Sequence, residues 1–256
     1  MIVYSKQSVR IAEVFSSADA RLPERVDIVR FRDCSSPVAG TVSYSHPTLQ
    51  VSLQADPAVI LAGMRKRARR KIRAGEEANL ACEWRAGRDC APWMTHFFEF
   101  FDRFASLRGL PPANRERLST LAAAGVLQLT RASDPQTRAV LVYHAYTVAA
   151  GTAHLLHSAS LFRARQGDDE YAEAVSNANG WLTWQDMLRF RADGFGCYDF
   201  GSWHTGNDPD QLKLNVFKHS FGGAIVDRYF ADRGLTLKGK LAIYARKLQG
   251  VARNGR

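Results

Sequence analysis

The sequence has few cysteines and no long apolar segment. Its four cysteines, Cys34, Cys82, Cys90 and Cys197, form no C-x-x-C pair, and the spacing of the histidines carries no metal signature. We therefore expect four reduced thiols in a cytoplasmic protein, with no metal site. The longest apolar runs fall far short of the ~20 residues that a membrane-spanning helix needs, and the N-terminal residues lack the apolar core of a signal peptide.

Acidic residues are also in short supply. The 256 residues include 35 Lys and Arg but only 25 Asp and Glu, so the formal net charge is +10. Such an excess favours anionic partners, which are nucleic acid, phosphorylated ligands or anionic lipid. With 46% hydrophobic residues, the chain is long and apolar enough to bury a substantial core.

Much of the positive charge lies in one segment. Asp56-Pro57 is a helix start, and the apolar positions that follow share one face, so we predict a basic helix in the segment 57–79 that Gly75 ends. Positions 65–73 carry seven basic residues and no acidic one, which leaves their mutual repulsion uncompensated. A charge run is usually a solvated face, but here we hypothesise contact with a phosphorylated substrate. The candidates are Arg69, Arg70 and Arg73.

The rest of the chain divides into three segments. Residues 1–56 predict a β-rich extension that packs on the main domain. Residues 80–234 predict the order β-α-α-β-β-β-α-β-α-β, with the last strand at 224–230. Residues 235–256 predict a basic amphipathic helix that packs on the domain or, as the alternative, lies on an anionic membrane. The apolar side of that helix carries Leu237, Leu241, Tyr244 and Leu248.

The stretch from Ser176 to Gly223 contains the most distinctive motifs. It predicts a helix that opens at Ser176–Asn179, a strand at Gly196–Phe200 and a second helix from Asp208-Pro209. The motif residues are Asn179 to Trp184, Tyr198-Asp199-Phe200-Gly201, Phe217-Lys218 and Phe221-Gly222-Gly223.

In their order and spacing these motifs resemble the acyltransferase domain of the Fem family, with Ser202 where the family often has a second glycine. The resemblance implies the GNAT N-acyltransferase fold, an α/β fold with a mixed, mostly antiparallel sheet and flanking helices. It covers a single acyltransferase domain, whereas Fem proteins carry two in tandem. It also implies acyl or aminoacyl transfer to an amine.

The resemblance places the donor where two central parallel strands, Thr152–Ser160 and Gly196–Phe200, separate. Backbone amides near Ser158 and Ser160 are expected to bind the acyl carbonyl. The chain lacks a clean Q/R-x-x-G-x-G/A turn for a coenzyme A diphosphate, and Arg165-Gln166-Gly167 is a fragment that lies before the predicted helix. We expect the helix start to replace that turn, because its free amides favour anions. Its residues are Ser176, Asn177, Asn179 and Gly180.

Three side chains are candidates for catalysis. Lys218 is the strongest, because the resemblance implicates a lysine of the FK-x-x-FGG segment near the donor phosphate or the developing negative charge; the alternative is a surface lysine at a helix end. Asp199 ends its strand, and it either positions the amine or caps a turn. His157, on the opposite strand face from His154, is weaker because strand histidines are commonly structural. The expected substrate contacts are Tyr198, Trp203 and His204.

We therefore expect an N-acyltransferase without a tightly bound cofactor that moves an acyl group from acyl-CoA to an amino group. The resemblance indicates an amino sugar or peptide acceptor in cell-envelope or polysaccharide biosynthesis, and the basic charge indicates that it is phosphorylated. The absence of a tRNA-binding arm favours acyl-CoA, while the charge favours aminoacyl-tRNA as donor. A non-catalytic nucleic-acid-binding protein on this fold is the remaining alternative. The same charge permits peripheral contact with the inner face of a membrane.

Overall fold

The computed structural model describes residues 1–15, 24–165 and 167–254, the last seven as backbone only. The strands are β1 (Ile2–Lys6), β2 (Val9–Phe15), β3 (Ile28–Cys34), β4 (Val42–Ser45), β5 (Thr48–Ser52), β6 (Ala81–Ala86), β7 (Leu127–Ser133), β8 (Val140–Ala149), β9 (Thr152–Ser160), β10 (Cys197–Ser202), β11 (Ala224–Val226) and β12 (Tyr229–Gly234). The α-helices are α1 (Pro57–Gly63), α2 (Lys66–Glu77), α3 (Ala91–Leu107), α4 (Arg115–Ala123), α5 (Asp169–Ala192), α6 (Pro209–His219) and α7 (Leu237–Asn254).

The chain forms two compact units. The smaller comprises Met1–Thr48, Ser202–Leu212 and Ile225–Arg256, and the larger comprises Leu49–Gly201 and Lys213–Ala224. Parts of the predicted acyltransferase segment, residues 202–212 and 225–234, therefore fall in the smaller unit. Within the described ranges, every helix is too short or too polar to span a lipid bilayer.

The smaller unit is built on a five-stranded sheet of order β1-β2-β3-β12-β4. Strands β2 and β3 are parallel, and the other neighbours are antiparallel. A buried ion pair lies inside this sheet, where Arg30 Nε and Nη2 donate to the two carboxylate oxygens of Asp232 at 2.6 and 2.8 Å. Such a two-point contact satisfies a buried charge that would otherwise be costly.

The larger unit is built on a seven-stranded sheet of order β11-β5-β10-β9-β8-β7-β6. Strands β6 to β9 form an antiparallel meander, while β9 and β10 are parallel. Helix α3 packs on one face, where Phe97 and Phe100 contact Tyr143. On the other face Trp181 and Leu182 of α5 share a buried cluster with residues of β7 and β8. This mixed α/β architecture confirms the predicted fold class.

The predicted single basic helix is wrong, because α1 and α2 are separate. Met64 has extended backbone (φ −77°, ψ 151°), and the Arg65 N–H donates to the Ser220 carbonyl at 2.8 Å instead of to the preceding turn. Gly75 lies inside α2 and does not end it. A Cβ at that position would lie 2.3 Å from the Cβ of Trp181, so this glycine permits the close approach of α2 and α5.

Two further boundaries differ from the prediction. Helix α5 begins at Asp169, seven residues before Ser176, because Asp168 caps it and accepts a hydrogen bond from the Tyr171 N–H at 2.8 Å. The strand predicted at 224–230 is two strands, β11 and β12, which belong to different sheets. The second helix of the motif stretch, α6, starts at Pro209 as predicted.

The C-terminal helix packs on β12 and β2, as predicted, but not through its apolar side. Leu237, Leu241 and Tyr244 are exposed, while Gly239 and Ile243 are the buried positions of α7. A Cβ at Gly239 would lie 2.0 Å from the Asp27 carbonyl oxygen, so backbone contact at a glycine determines which side faces inward. The side chain of Leu248 lies outside the described residues.

Candidate active site at the fork of two parallel strands

The candidate site lies in the larger unit, where β9 and β10 separate. The two strands pair through Thr152–Cys197, Ala153–Tyr198 and His154–Asp199, and the pairing ends there although both strands continue. We call this point the fork. Gly201 follows the last pair with a φ of +71°, and a Cβ there would lie 3.1 Å from the Leu155 carbonyl oxygen. A glycine is required because both the backbone conformation and the close approach disfavour a side chain.

Asp199 is the buried carboxylate at the fork. Its Oδ2 accepts a hydrogen bond from Gln50 Nε2 at 2.9 Å and lies 3.5 Å from His154 Nδ1, while its Oδ1 accepts the Gly201 N–H at 2.6 Å. Burial alone would raise the pKa of Asp199, but the hydrogen bonds from His154, Gln50 and the Gly201 amide outweigh burial and lower it. The side chain is therefore a carboxylate at neutral pH.

Lys218 places a buried amine near this carboxylate. Only 7% of the residue is exposed, and burial lowers its pKa to about 8, while the charge of Asp199 acts in the opposite direction. The backbone around it is held by aromatic packing, since the ring of Phe221 lies 5.3 Å from that of Phe217 and 5.5 Å from that of Phe200. The burial of Lys218 excludes the alternative of a surface lysine at a helix end.

The two glycines after Phe221 bring this segment close to β5. Gly222 and Gly223 have φ values of +82° and +88°, and a Cβ at Gly223 would lie 2.3 Å from the Gln50 carbonyl oxygen. Gln50 is the residue whose amide holds Asp199. The FGG tripeptide thus packs against the strand that positions the carboxylate, so the motif residues converge in space.

The predicted orientation of the two histidines of β9 is wrong, because the strand contains a bulge. His157 pairs with Ala145 and Leu155 with Tyr146, which leaves Leu156 without a partner in this register. His154 pairs with Thr147, so both histidines share the sheet face of Ala145 and Thr147. His157 packs on the ring of Phe101 at 4.6 Å, and burial, with the charge of Arg117, lowers its pKa to about 4. His154, not His157, is the histidine at the fork.

Tyr198 points to the opposite sheet face, into a buried polar network centred on Asp186. The Tyr198 hydroxyl lies 2.9 Å from that of Tyr146, which donates to Asp186 Oδ2 at 2.6 Å. His144 Nδ1 lies 2.7 Å from the same oxygen, and Thr130 Oγ1 donates to it at 3.1 Å. Tyr198 is fully buried. Its position in the core does not support the predicted contact with substrate.

The predicted amide cradle at Ser176–Gly180 is wrong. These residues lie in the middle of α5, where backbone amides bond to carbonyls of the preceding turn. Ser176 instead contacts the buried amine of Lys71 through its hydroxyl and carbonyl oxygens, and a Cβ at Gly180 would lie 2.7 Å from the Cβ of Lys71. Asn177 is half-buried on the same helix.

Two of the residues predicted to bind the acyl donor, Ser158 and Asn179, do contact each other. Ser158 Oγ donates to Asn179 Oδ1 at 3.3 Å, and the same oxygen lies 2.7 Å from His144 Nε2. Ser158 and Ser160 lie on β9 beyond the last pair with β10, paired on their other side with His144 and Val142. The β9 edge that faces the fork is thus in the predicted place.

The start of α5 is acidic. Asp168 caps the helix, and Asp169 and Glu170 occupy its first turn. Arg165 lies directly before the helix because α5 starts early; its Nη1 is 3.6 Å from Asp168 Oδ2, and its guanidinium stacks 4.2 Å from the Tyr171 ring centroid. Gln166, the middle residue of the predicted fragment, lies outside the described residues. Three carboxylates at a helix start oppose the binding of a diphosphate there.

The arginines predicted to bind phosphate differ in their contacts. Arg69 Nη1 donates to the carbonyl oxygens of Ala62 and Met64 at 3.1 and 2.6 Å, so it caps the end of α1. Arg70 lies 3.9 Å from Glu173 of α5, with both side chains exposed. Arg73 is exposed on α2. Trp203 and His204 belong to the smaller unit.

Sequence reasoning missed two residues of the fork, Gln50 and His154. The register offered a signal for His154, because it is the third residue of β9 and Asp199 is the third residue of β10, so parallel pairing sets them side by side. Gln50 had no comparable signal, because nothing in its own segment indicates that β5 lies next to β10 in the sheet.

Comparison with known proteins identifies the fold. A scan against protein-family models found no match, and a search of curated proteins found none. Among solved structures, FemX matches with a TM-score of 0.60 and 14% identity over 83% of this chain and 73% of FemX. The C-terminal domain of a putative lysylphosphatidylglycerol synthetase from Agrobacterium fabrum matches with a TM-score of 0.54 and 12% identity over 86% of this chain and 72% of that one. L-PGS from Bacillus licheniformis matches with a TM-score of 0.53 and 10% identity over the same shares. The chain therefore has a Fem-like fold.

Proposed function

We propose that this protein is an N-acyltransferase that moves an acyl or aminoacyl group to the amino group of an acceptor, with its chemistry at the fork. The observation that carries the proposal is the convergence of a buried amine, a carboxylate and a histidine, those of Lys218, Asp199 and His154, where β9 and β10 separate. The structural similarity to FemX and to the C-terminal domain of a putative lysylphosphatidylglycerol synthetase supports the proposal.

Each of these groups has a role that its surroundings support. The acceptor amine attacks the acyl carbonyl, and His154, oriented through Nδ1 by Asp199, takes the proton that the amine loses. Lys218, with a pKa of about 8, is mostly an ammonium at neutral pH, so it stabilises the negative charge that develops on the carbonyl oxygen. The free edge of β9 around Ser158 and Ser160 supplies amides to the same carbonyl. Collapse of the intermediate expels the donor's oxygen or sulfur, which takes from His154 the proton that the amine lost.

The start of α5 favours aminoacyl-tRNA as the donor. A coenzyme A diphosphate at this helix start would meet the carboxylates of Asp168, Asp169 and Glu170, whereas an aminoacyl ester brings no diphosphate to that position. The exposed basic residues of α2 lie in the same unit and suit an RNA backbone. Acyl-CoA, the donor expected from the sequence, is the second candidate, because Arg165 lies directly before α5.

For the acceptor we propose an amine on an anionic molecule of the cell envelope, either an amino sugar or a peptide, met on the cytoplasmic side. The net charge of +10 supports an anionic acceptor. The neighbour named as a lysylphosphatidylglycerol synthetase extends the search to phospholipid acceptors, where a lipid hydroxyl would replace the amine.

The test is a transfer assay with both donors in parallel. Purified protein is incubated with radiolabelled aminoacyl-tRNA or acetyl-CoA and a panel of amino sugars, peptides and phosphatidylglycerol, and the product is identified by mass. Transfer that requires Lys218 supports the proposal, and the donor that works decides between the two candidates. Transfer that persists in Lys218→Met at the wild-type rate would place the chemistry away from the fork.

A non-catalytic RNA-binding role is the outcome that would replace the proposal. It predicts RNA binding with a steep salt dependence that is unchanged in Lys218→Met, and no transfer from either donor. The buried position of Lys218 opposes this alternative, because an ammonium that serves only nucleic-acid binding has no reason to be desolvated.

A further inference from the structure

Helix α7 shows one side to the smaller unit and a different side to its surroundings. The inward side is set by Gly239 and Ile243, which are buried, and by Arg246, whose Nη1 donates to Asp232 Oδ2 at 2.9 Å. The helix packs on β12 and β2 through this side. The helix packs closely here, because a Cβ at Gly239 would collide with the backbone of Asp27.

The opposite side carries a row of large apolar side chains, which we call the outer stripe: Leu237, Leu241 and Tyr244. They are 74%, 60% and 61% exposed. At about 100° per residue the three positions fall within roughly 60° of one another, facing away from Gly239. The stripe is therefore continuous, unlike single exposed leucines, which are ordinary on a protein surface.

The charge of α7 has one sign. Its sequence contains no Asp or Glu and five basic residues, Lys238, Lys240, Arg246, Lys247 and Arg253. Lys240 and Lys247 lie on one side of the outer stripe and Lys238 lies on the other, and all three are exposed. The Lys238 Nζ also donates to the Ser8 carbonyl oxygen and lies 3.9 Å from Asp27 Oδ2. An apolar row bordered by cations on both sides is the pattern of a helix that lies in a lipid–water interface, where lysine stems reach up to anionic headgroups.

We propose that the outer stripe docks α7 on an anionic lipid bilayer, parallel to its surface. The leucines and the tyrosine enter the headgroup region while the lysines contact anionic lipid. A second copy of this chain fits the helix poorly, because stacking the outer stripes of two α7 helices would bring Lys238, Lys240 and Lys247 of both helices together, with no carboxylate on either helix. A nucleic acid would use the cations and leave the apolar row unused.

The test is flotation of the full-length protein with vesicles of phosphatidylcholine, with and without phosphatidylglycerol. Wild-type protein is expected to float with the anionic vesicles only. The triple variant Leu237→Gln, Leu241→Gln, Tyr244→Gln should bind at least about tenfold more weakly, because the buried apolar area is lost. The control is Leu107→Gln with Leu110→Gln, two exposed leucines of the larger unit, which should bind as wild type does.

Charge and folding are checked separately. Lys240→Gln with Lys247→Gln should weaken binding at low salt and reduce its salt dependence, since these side chains face anionic lipid. The melting temperature of each variant should match wild type, because all the substituted residues are exposed. Equal flotation of the triple variant would overturn the proposal. The proposal would also be overturned if light scattering showed that the wild-type protein is a dimer and the triple variant a monomer, because the outer stripe would then join two copies. Neither result bears on acyl transfer, which is assayed at the fork.

Discussion

Two buried carboxylates on opposite faces of the larger sheet show what distinguishes a site from a core. Asp186 and Asp199 are both at most 1% exposed, and each contacts a histidine through Nδ1. The partners of Asp186 are Thr130, Tyr146 and His144, which are themselves buried. Asp199 instead contacts His154, whose side chain is 17% exposed, and lies near the Lys218 amine.

The difference shows that burial and hydrogen bonding alone do not mark function. The Asp186 network is satisfied by hydrogen-bonding groups of the core, and such a network fixes the packing of a core. The Asp199 cluster includes a desolvated amine and a histidine that solvent reaches, so charge and access occur together. Predictions that separate the two carboxylates therefore test the assignment of the site.

The largest expected effect is that of Lys218→Met. Loss of the ammonium removes the group that faces the developing oxyanion, so kcat should fall on the order of 10²-fold to 10³-fold, with little change in the melting temperature. Steady-state kinetics with the donor that supports transfer measures it. The matched control is Lys213→Met, an exposed lysine of the same helix, which should retain wild-type kcat. Equal losses in both variants would contradict the assignment.

The two carboxylates should respond oppositely to the same substitution. Asp199→Asn should lower kcat on the order of 10²-fold, because His154 loses the charge that orients it. Asp186→Asn should lower the free energy of unfolding by about 1–3 kcal/mol, because an amide accepts fewer hydrogen bonds than a carboxylate and leaves buried donors unsatisfied, while kcat per folded molecule stays unchanged. Denaturant titration and kinetics on the same preparations distinguish these results. If Asp186→Asn lost kcat while keeping wild-type stability, the assignment of Asp186 to the core and of Asp199 to the site would be contradicted.

The pH profile should report Lys218. The ammonium is the active form, and a pKa of about 8 means that it is lost as pH rises through that value. We expect kcat to fall by about tenfold per pH unit above pH 8. Lys71 is the control, because burial also lowers its pKa to about 8. The Lys71→Met variant should still show the fall in kcat at alkaline pH.

The same pH profile tests the electrostatic interaction between Asp199 and Lys218. The negative charge of Asp199 raises the pKa of Lys218, so Asp199→Asn should move the alkaline limb to lower pH. A limb that stays in place in this variant would show that another group titrates.

The smallest effect is expected in the basic helix. Arg70→Glu with Arg73→Glu reverses two exposed charges of α2, so the KM for an RNA donor should rise several-fold and kcat should not change. Arg69 is left intact because it caps α1. The outcome that sinks this idea is an unchanged KM for aminoacyl-tRNA at low salt.

Much of the fold was accessible from the sequence, because periodicity and turn residues act locally. The strand Thr152–Ser160 and the start of α6 follow from such patterns. The start of α5 was missed because Asp168 outcompeted Ser176 as a cap, and two acidic residues behind it favour a helix start.

The site was predictable only in part. Lys218 and Asp199 were found because a motif joins them, whereas Gln50 and His154 depend on which strands are neighbours and on their register. The face of His157 was wrong because a bulge cannot be inferred from a regular alternation. Non-local pairing and local irregularity are what a linear pattern omits.

The bulge at Leu156 also has an evolutionary consequence. His157 already follows Leu155 in the pairing with β8, so deleting that one codon would let β9 alternate regularly while every remaining residue kept its face. Ser158 would stay beside Asn179, and His157 would stay on the ring of Phe101. A single-residue deletion in a regularly paired strand instead reverses the faces of the residues beyond it. We therefore expect length variation of β9 among descendants of this chain to occur at position 156.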